Sequence, residues 1–404
     1  MPRQLRHYPE TTIEAYVDGF SSEISPNGTS LRIIQVVNVR WFNATAWYGL
    51  FLASLLRDAG HEVRVICPAG TDSCNKARDM GLDPLTMDLN SGNPVSVISA
   101  YGNVRRLVRD FRPHIVNCHR GESFFLWGML QQSGGFGLVR TRGDQRPPKG
   151  NYPNKLLHGR VADAVITTSS GIAGAVRDIL HVPESRVHTI FGGVDTRRFY
   201  PDAEGRAAMR AAWGIGPETR VVGLVGRFDA VKGQRELIAA FAALMHNVAP
   251  GVPDTRLVLA GFGTTALGEE EVRGWVQAAG IADRVIFPGR CENVRALMNA
   301  LDLGVVASLA SETIARVALE IMACGVALVG TRVGVMPDLL QGNALVPPGD
   351  EAAMEGILRR FLTEPAFGES LLAAQKERMQ TLSERDFLAQ TLAVYRNIVP
   401  AKSF

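Results

Sequence analysis

The sequence predicts an α/β protein made of two doubly wound, parallel-sheet domains that face a central cleft. The chain has 404 residues, whereas one hydrophobic core rarely grows beyond about 250–300 residues. Short β-branched runs alternate with helical stretches, which is typical of βαβ units. The alternation stops once, at the turn-rich residues 191–205, and then begins again.

The first series predicts a Rossmann-like domain in the N-terminal half. A buried strand over 31–37 is followed by a helix over 46–59 and a second strand over 61–68. A strand–helix–strand unit with short links is right-handed and sets its two strands parallel. The same alternation predicts further elements, which are a helix over 97–109 and strands over 114–118 and 164–169.

The second series predicts another domain of the same kind. A strand over 220–226 leads into a helix over 233–245. Further strands are expected over 256–261, 285–289, 303–308 and 327–331. In such sheets ligands bind outside the carboxyl ends of the strands, so the cleft between the two domains is the expected site.

Composition excludes several classes of protein. The net charge is +3 and no long basic run is present, so a nucleic-acid partner is not indicated. No stretch of about 18 uncharged apolar residues occurs, so we expect no membrane span. Residues 1–30 lack the apolar segment of a secretory signal, and we expect a poorly ordered or irregular leader there. The five cysteines form no C-x-x-C pair, which favours reduced thiols in a cytoplasmic protein.

A cationic loop carries the first chemical signal. Gly226-Arg-Phe-Asp-Ala-Val-Lys-Gly233 follows one predicted strand and opens a helix. Arg227 and Lys232 can both reach one point above the strand ends, where the helix start favours anions. This arrangement suits a diphosphate held without a metal. The alternative interpretation is a surface Arg and Lys beside an ordinary turn.

Two glutamates give the second signal. Glu312 follows a predicted strand end, and Glu320 lies on an otherwise apolar helix that Gly325 closes. A carboxylate in such surroundings needs a partner, and sugar or ribose hydroxyls are suitable ones. Alternatively, Glu320 pairs with a structural arginine and Glu312 caps the helix.

These motifs, in this order, resemble the retaining glycosyltransferases of the GT-B fold, in the family 4 or "group 1" class. The resemblance covers about residues 31–400. Besides the cationic loop and the Glu312-x7-Glu320 pair, it rests on Val258-Leu-Ala-Gly-Phe-Gly, Val285-Ile-Phe-Pro-Gly, Val333-Gly-Val-Met-Pro-Asp and Leu345-Val-Pro-Pro-Gly-Asp. Gly193-Val-Asp-Thr-Arg-Arg-Phe is similar to the family's interdomain segment.

The resemblance implies a role for each matching residue. Arg227 and Lys232 would bind the diphosphate and stabilise its leaving charge. Glu312 would face the donor sugar and Glu320 the ribose. His119 would lie near the sugar, although it could equally be a satisfied loop residue. The backbone that meets the nucleobase would be that of Gly289, Arg290 and Cys291.

The resemblance also implies a domain organisation. Residues 31–197 would form the acceptor-side domain and residues 198–385 the nucleotide-sugar domain. The last segment, 386–404, would be a helix that crosses back to the first domain.

Two loops depart from the family pattern. After the first glutamate the family has Gly-x-Gly, whereas this chain has Thr313, Ile314 and Ala315 followed by Arg316. The loop after the first strand lacks the family's Gly-Gly pair, so Arg40, Trp41 and Asn43 would face the cleft. A polar loop at 141–149 is expected to contact the acceptor through Arg142, Asp144 and Arg146, with a structural ion pair as the alternative.

The implied function is transfer of a sugar from a nucleotide-diphosphate sugar to an acceptor hydroxyl, with retention, in cell-surface polysaccharide, lipopolysaccharide or glycolipid synthesis. No cofactor or metal is expected, because the chain has no Asp-x-Asp pair. A basic helix at 104–112 could touch the inner face of a membrane peripherally, or be a solvated face. Alternatives are a nucleotide-sugar epimerase or phosphorylase on the same fold, and a non-catalytic nucleotide-binding protein.

Overall fold

The structure, a computed structural model, describes residues 30–90, 93–247 and 251–399. The expected leader at 1–30 therefore lies outside the described residues, except for Ser30. The described chain forms two α/β domains, each with its own parallel sheet, and the predicted fold class is confirmed. The domain boundaries expected at 197 and 385 stay predictions.

The N-terminal sheet has seven parallel strands in the order β3-β2-β1-β4-β5-β6-β7. These strands are β1 Arg32–Val36, β2 Glu62–Cys67, β3 Pro84–Thr86, β4 Ile115–Cys118, β5 Gly137–Arg142, β6 Ala164–Thr167 and β7 Val187–Thr189. The accompanying helices are α1 Ala44–Asp58, α2 Asp72–Asp79, α3 Pro94–Phe111, α4 Phe124–Gly134, α5 Tyr152–Leu156 and α6 Ser170–Leu180. A π-helical turn, Leu157–Val161, continues α5.

The C-terminal sheet has six parallel strands in the order β10-β9-β8-β11-β12-β13. These strands are β8 Arg220–Val225, β9 Thr255–Ala260, β10 Val285–Ile286, β11 Leu303–Val306, β12 Ala327–Thr331 and β13 Leu345–Val346. The helices of this half are α7 Ala203–Ala212, α8 Gln234–His246, α9 Glu269–Ala278, α10 Val294–Ala300, α11 Arg316–Ala323, α12 Met336–Leu339, α13 Glu351–Thr363, α14 Pro365–Met379 and α15 Glu384–Ile398.

The central strands are continuous apolar runs because helices cover both faces of each sheet. Ile33 and Ile34 in β1, and Val221 and Val222 in β8, are all completely buried. Neighbouring residues of one strand point to opposite faces, so burial of both members of a pair requires cover on both sides. This cover gives each domain one core layer above its sheet and one below.

Strand order changes direction once in each sheet, and these points locate the cleft. In the C-terminal sheet the chain runs outward from β8 to β10 and then returns to place β11 on the other side of β8. The N-terminal sheet does the same at β1 and β4. A crevice opens at such a switch point, outside the carboxyl ends of the strands. The loops after β8 and β11 are therefore favoured for ligand binding.

The basic segment at 104–112 lies mainly in α3. Val104 and Val108 are buried against the domain, whereas Arg105 and Arg109 are exposed. The apolar side of the 104–112 segment is therefore covered by the protein, whereas Val95 and Ile98, near the start of α3, are exposed. None of the helices within the described ranges is both long and apolar enough to cross a membrane.

The last helix, α15, packs on the N-terminal domain. It begins with a capping box, in which Ser383 Oγ accepts from the Asp386 amide and the Asp386 carboxylate accepts from the Ser383 amide. The ring of Phe387 lies 4.6 Å from that of Tyr48 on α1. Near the far end of α15, the buried Tyr395 hydroxyl accepts hydrogen bonds from the side-chain amides of two sheet residues, Gln35 at 3.1 Å and Asn117 at 2.8 Å.

We predict that Tyr395→Phe lowers the free energy of unfolding by about 1–3 kcal/mol, because two buried amide donors lose their acceptor. Urea unfolding followed by circular dichroism measures the change. Tyr152→Phe is the matched control, since Tyr152 is 75% exposed. Identical urea midpoints for both variants would contradict the docking of α15 on the first domain.

Candidate functional site

The candidate site is built where the loops after β8 and β11 meet. Leu309 N, in the second loop, donates to Val231 O in the first at 2.8 Å. Gly233 allows this approach, because it has φ +73° and a Cβ there would lie 2.0 Å from Ala307 O. Glycine alone tolerates both conditions. The two loops are thus fixed against each other by backbone contacts.

Lys232 and Glu312 form an ion pair across these two loops. Lys232 Nζ contacts Glu312 Oε1, and Ser308 Oγ donates to the same oxygen at 2.5 Å. The Glu312 side chain is 8% exposed, whereas that of Lys232 is 27% exposed. The carboxylate is therefore held by Ser308 in a nearly closed space, and the ammonium keeps some access to the cleft. Glu312 caps no helix, since Ala315 is the residue that precedes α11.

Arg227 lies on the same loop as Lys232 but contacts a different carboxylate. Its guanidinium lies 3.0 Å from Asp229 Oδ2, and its side chain is 51% exposed. Asp229 also accepts from Val231 N and so begins the turn at 230–232. The expected convergence of Arg227 and Lys232 on one diphosphate stays a prediction, because each cation has its own carboxylate partner in this structure.

Glu320 pairs with an arginine, which is the alternative that the sequence left open. Arg316 Nε lies 3.0 Å from Glu320 Oε1, one helical turn earlier on α11. Burial raises the pKa of Glu320, and Arg316 and Arg198 oppose that shift. Arg316 also lies 5.7 Å from the ring of Trp47 on α1, and thus links the two domains. The binding of ribose by Glu320 stays a prediction.

The segment that replaces the family's Gly-x-Gly keeps a backbone that glycine favours. Within this segment Ala315, at the start of α11, has φ +49°, which costs about 1–2 kcal/mol at a non-glycine residue. Ser311, just before Glu312, also has positive φ, +69°. Ile314 is 2% exposed and belongs to the same apolar cluster as Tyr48 and Phe387. Thr313, which follows Glu312, is half-buried. The side chain of Ile314 is therefore core, so a ligand role there would fall to its backbone.

The expected nucleobase segment follows β10, two strands from the switch point. Gly289 has φ +68°, Arg290 is exposed and Cys291 is half-buried. Burial raises the pKa of the Cys291 thiol. The contact of these residues with a base stays a prediction.

His119 follows β4 and is buried beneath α1. Its Nε2 lies 2.7 Å from Gln35 Oε1, and because that partner is an acceptor, we assign the proton to Nε2. Its Nδ1 is buried without a hydrogen-bond partner in the described structure. Burial, with Arg140 as a second cause, lowers the pKa of His119 to about 3. The ring is therefore neutral at pH 7, and its role beside a sugar stays a prediction.

The loop after β1 contains one helix-capping residue and two solvent-exposed residues. Asn43 Oδ1 accepts from Ala46 N at 3.1 Å and caps α1. Arg40 is exposed, and Trp41 is 70% exposed. A contact of Arg40 or Asn43 with the acceptor stays a prediction.

The loop after β5 reaches across to the C-terminal domain. Gln145 Oε1 accepts from Ser311 N at 2.7 Å, directly before Glu312. Arg142 Nη2 donates to Arg146 O at 2.5 Å. Asp144 Oδ2 lies 4.0 Å from Arg140 Nη2. This is a structural ion pair, the alternative to an acceptor contact for Asp144.

Sequence reasoning missed Ser308, Asp229, Gln145 and Arg140. Ser308 is the last residue of a predicted strand and Asp229 lies inside the cationic motif, so both positions carried a signal. Gln145 lies in the polar loop at 141–149, but its contact across the cleft could not be read from the sequence, and Arg140 gave no signal of its complete burial. In the ranges that the structure describes, no three His, Cys, Asp or Glu side chains are grouped as metal ligands.

Two family models match different halves of the chain. The model described as "Glycosyl transferases group 1" matches residues 219–364. The model described as "Glycosyltransferase Family 4" matches residues 47–198. The first match contains the loops after β8 and β11, and the second contains β4 and the loop after β5.

Curated relatives and a solved structure are also similar. The lipopolysaccharide core biosynthesis mannosyltransferase LpsB of Rhizobium meliloti is 35% identical over 209 residues, which are 51% of this chain and 55% of the relative. A D-inositol 3-phosphate glycosyltransferase of Saccharomonospora viridis is 30% identical over 248 residues, 59% of this chain and 57% of the relative. The chain thus spans little more than half the length of these relatives. Anabaena Alr3699/HepE in complex with UDP shares the fold, with a TM-score of 0.76, 20% identity, and coverage of 91% of this chain and 100% of that one.

We predict that Ala315→Gly is more stable than Ala318→Gly by about 2 kcal/mol. Both substitutions remove a buried methyl group, but the first relieves a left-handed alanine whereas the second weakens α11. Urea unfolding of the two variants measures the difference. Equal loss of stability in both would show that Ala315 is not strained.

We predict that His119 makes the protein less stable in acid. Because its folded pKa of about 3 is below the unfolded value, the unfolded state binds the proton first as pH falls below about 6.5. The free energy of unfolding should then fall by up to about 1.4 kcal/mol per pH unit more than in His119→Asn. Urea titrations between about pH 7 and pH 4 measure the slopes, with the exposed His246→Asn as control. Parallel slopes for the wild type and His119→Asn would exclude this linkage.

Proposed function

The chain belongs to the group 1 glycosyltransferases of family 4, and we propose that it transfers a sugar from a nucleotide-diphosphate sugar to an acceptor hydroxyl with retention of anomeric configuration. The observation that carries this proposal is the Lys232–Glu312 pair at the switch point of the C-terminal sheet. An ammonium for the diphosphate and a carboxylate for sugar hydroxyls are in contact there.

In the proposed complex the diphosphate lies above the loop after β8. Lys232 and Arg227 are each partly exposed, and each holds one carboxylate. A diphosphate brings several negative charges to the same place and can bind both cations through charge-assisted hydrogen bonds. The start of α8, directly after Gly233, adds a favourable field for the anion. The leaving nucleoside diphosphate gains charge as the sugar departs, and fixed cations stabilise that charge.

Glu312 is proposed to orient the donor sugar. Ser308 and Lys232 bind the same carboxylate oxygen, Oε1, which leaves Oε2 to accept from a sugar hydroxyl. Glu320, on α11, is proposed to receive the ribose hydroxyls after Arg316 moves towards solvent. No metal or cofactor is invoked, since the two cations are proposed to neutralise the diphosphate.

The relatives support this donor chemistry and a role at the cell surface. LpsB is a lipopolysaccharide core biosynthesis mannosyltransferase, and the Anabaena structure contains UDP. We therefore propose cell-surface polysaccharide, lipopolysaccharide or glycolipid synthesis in the cytoplasm, at the inner face of the membrane. Since Val104 and Val108 of α3 are buried and its arginines are exposed, we propose that this helix contacts lipid mainly through charge.

Product analysis separates this function from its rivals on the same fold. A transferase releases the nucleoside diphosphate and forms a new glycoside when acceptor is present. An epimerase would convert the nucleotide sugar without acceptor, and a phosphorylase would require inorganic phosphate. A non-catalytic nucleotide-binding protein would form no product under any of these conditions.

We predict that one nucleotide sugar in a panel with uridine, guanosine and adenosine bases raises the melting temperature of the full chain. Ligand that binds only the folded state stabilises it by mass action. Arg227→Ala and Lys232→Ala should each weaken that binding by about 10- to 100-fold, because each removes a charge-assisted hydrogen bond worth about 1.5–3 kcal/mol. Differential scanning fluorimetry and calorimetric titration provide the two measurements.

Lys376→Ala is the matched control for this prediction, because Lys376 is an exposed lysine on α14 and should leave donor binding as in the wild type. Unchanged affinity in both Arg227→Ala and Lys232→Ala would contradict a diphosphate site on this loop.

A further inference from the structure

A pocket of about 300 Å³ lies between the domains, beside the Glu312 loop. The loop after β5 lines it with Arg142, Asp144, Gln145 and Arg146, and Gly334 contributes from the C-terminal domain. Gln145 joins this pocket to the proposed donor site, because its Oε1 accepts from Ser311 N at 2.7 Å. The pocket therefore borders the residue that precedes Glu312.

The charged residues that line this pocket are two arginines, Arg142 and Arg146, and one carboxylate, Asp144. Arginines outnumber carboxylates at the ends of β4 and β5, where the charged residues are Arg120, Glu122, Arg140, Arg142, Asp144 and Arg146. Arg120 pairs with Glu122, and Asp144 approaches Arg140 only to 4.0 Å. Arg142 donates to the Arg146 carbonyl, and neither arginine has an ion-pair partner in the described part of the chain. Asp338 of the C-terminal domain accepts from Ser170 N at 3.0 Å beside the pocket, and with Asp338 included the region still holds more cations than anions.

The buried member of this group, Arg140, has only a distant counter-ion, Asp144 at 4.0 Å. The Arg140 side chain is 1% exposed, and its Nη1 donates to the backbone oxygens of Cys118 and Thr141. Burial, followed by repulsion from Arg142, lowers the pKa of Arg140 to about 10, while Asp144 and Glu122 oppose that shift. The guanidinium therefore stays protonated at pH 7, and a buried cation of this kind is stabilised by an anion nearby.

Three unpaired N–H donors lie on this loop or next to it, and Thr168 Oγ1 nearby, also unpaired, can donate or accept. Arg140 Nε, Arg142 Nε and Gln145 Nε2 are buried and have no hydrogen-bond partner among the described residues. Each carries an N–H group and none can accept. A buried donor without an acceptor costs about 1–3 kcal/mol, so a ligand rich in acceptor oxygens would be favoured over one that offers hydroxyl donors alone.

We propose that this pocket receives a phosphate or carboxylate group carried by the acceptor, so that the substrate class is an anionic glycan, sugar or headgroup. The proposal rests on the proposed function, because the pocket is an acceptor site only if the donor binds beside it. Arg142 and Arg146, which line the pocket, bind the anion directly, and the buried Arg140, two residues before Arg142, adds positive charge. Gln145, held by Ser311, sets the anion at a fixed place relative to Glu312.

Calorimetric titration of the full chain tests this proposal. The nucleoside diphosphate that corresponds to the stabilising nucleotide sugar is first added to saturation, so that Arg227 and Lys232 are occupied. Glucose 6-phosphate, glucuronate and glucose are then compared as free ligands. Phosphatidylinositol in phosphatidylcholine vesicles, against phosphatidylcholine alone, tests an anion carried by a lipid in a co-sedimentation assay. The variants are Arg142→Gln and Arg146→Gln, with Arg78→Gln, an exposed arginine on α2, as control.

We expect an anionic ligand to bind at least about tenfold more tightly than its neutral counterpart, which corresponds to one charge-assisted hydrogen bond. Arg142→Gln should reduce that preference to less than about threefold, Arg146→Gln should weaken it as well, and Arg78→Gln should leave it unchanged. Binding of the free anionic sugars identifies a soluble acceptor, and binding of the phosphatidylinositol vesicles alone identifies a lipid-borne one. Both results support the proposal.

Equal binding of anionic and neutral ligands would overturn the proposal, as would an anion preference that survives both pocket substitutions. If Arg142→Gln lowers the melting temperature, Arg146→Gln decides the outcome, because the Arg146 side chain is exposed. If no nucleotide sugar in the earlier panel raises the melting temperature, the proposed function is overturned instead. Donor binding that depends on Arg227, combined with no anion preference, overturns only this inference.

Discussion

An ammonium and a carboxylate from two different strand ends share one nearly closed space in this protein. Lys232 meets Glu312 because Gly233 lets the two loops approach to within backbone contact. Removing either partner would leave the other charge partly buried and unpaired, which is strongly destabilising. The geometry of the two loops therefore depends on this ion pair. The pair also determines where an anionic ligand would gain the most favourable electrostatic interaction.

The position of Glu312 also depends on contacts from outside its own loop. Its carbonyl oxygen accepts from Val335 N at 2.8 Å, and a Cβ at Gly334 would lie 1.9 Å from that oxygen. On the other side, Gln145 binds Ser311, and Ile314 packs in the apolar cluster of the N-terminal domain. The carboxylate is thus positioned by loops from both domains, which is the preorganisation that a binding site requires.

The fold could be predicted from the sequence because a strand buried on both faces is a continuous apolar run, as in β1 and β8. The outer strands β3 and β7, with three residues each, are too short to give a pattern. The contacts within the site were harder to predict than the fold. The sequence shows where a cation or carboxylate lies along the chain, but not which residue it pairs with. Arg227 takes Asp229 and Glu320 takes Arg316, both close in sequence, and the burial of Arg140 follows only from tertiary packing.

A crystal structure of the full chain with a bound nucleoside diphosphate tests the central claim most directly. The account predicts that phosphate oxygens lie about 2.7–3.2 Å from Lys232 Nζ and from the Arg227 guanidinium. Arg227 would then have left Asp229, while Ser308 still donates to Glu312. A diphosphate bound away from the loop after β8, with the Lys232–Glu312 and Arg227–Asp229 pairs unchanged, would contradict it.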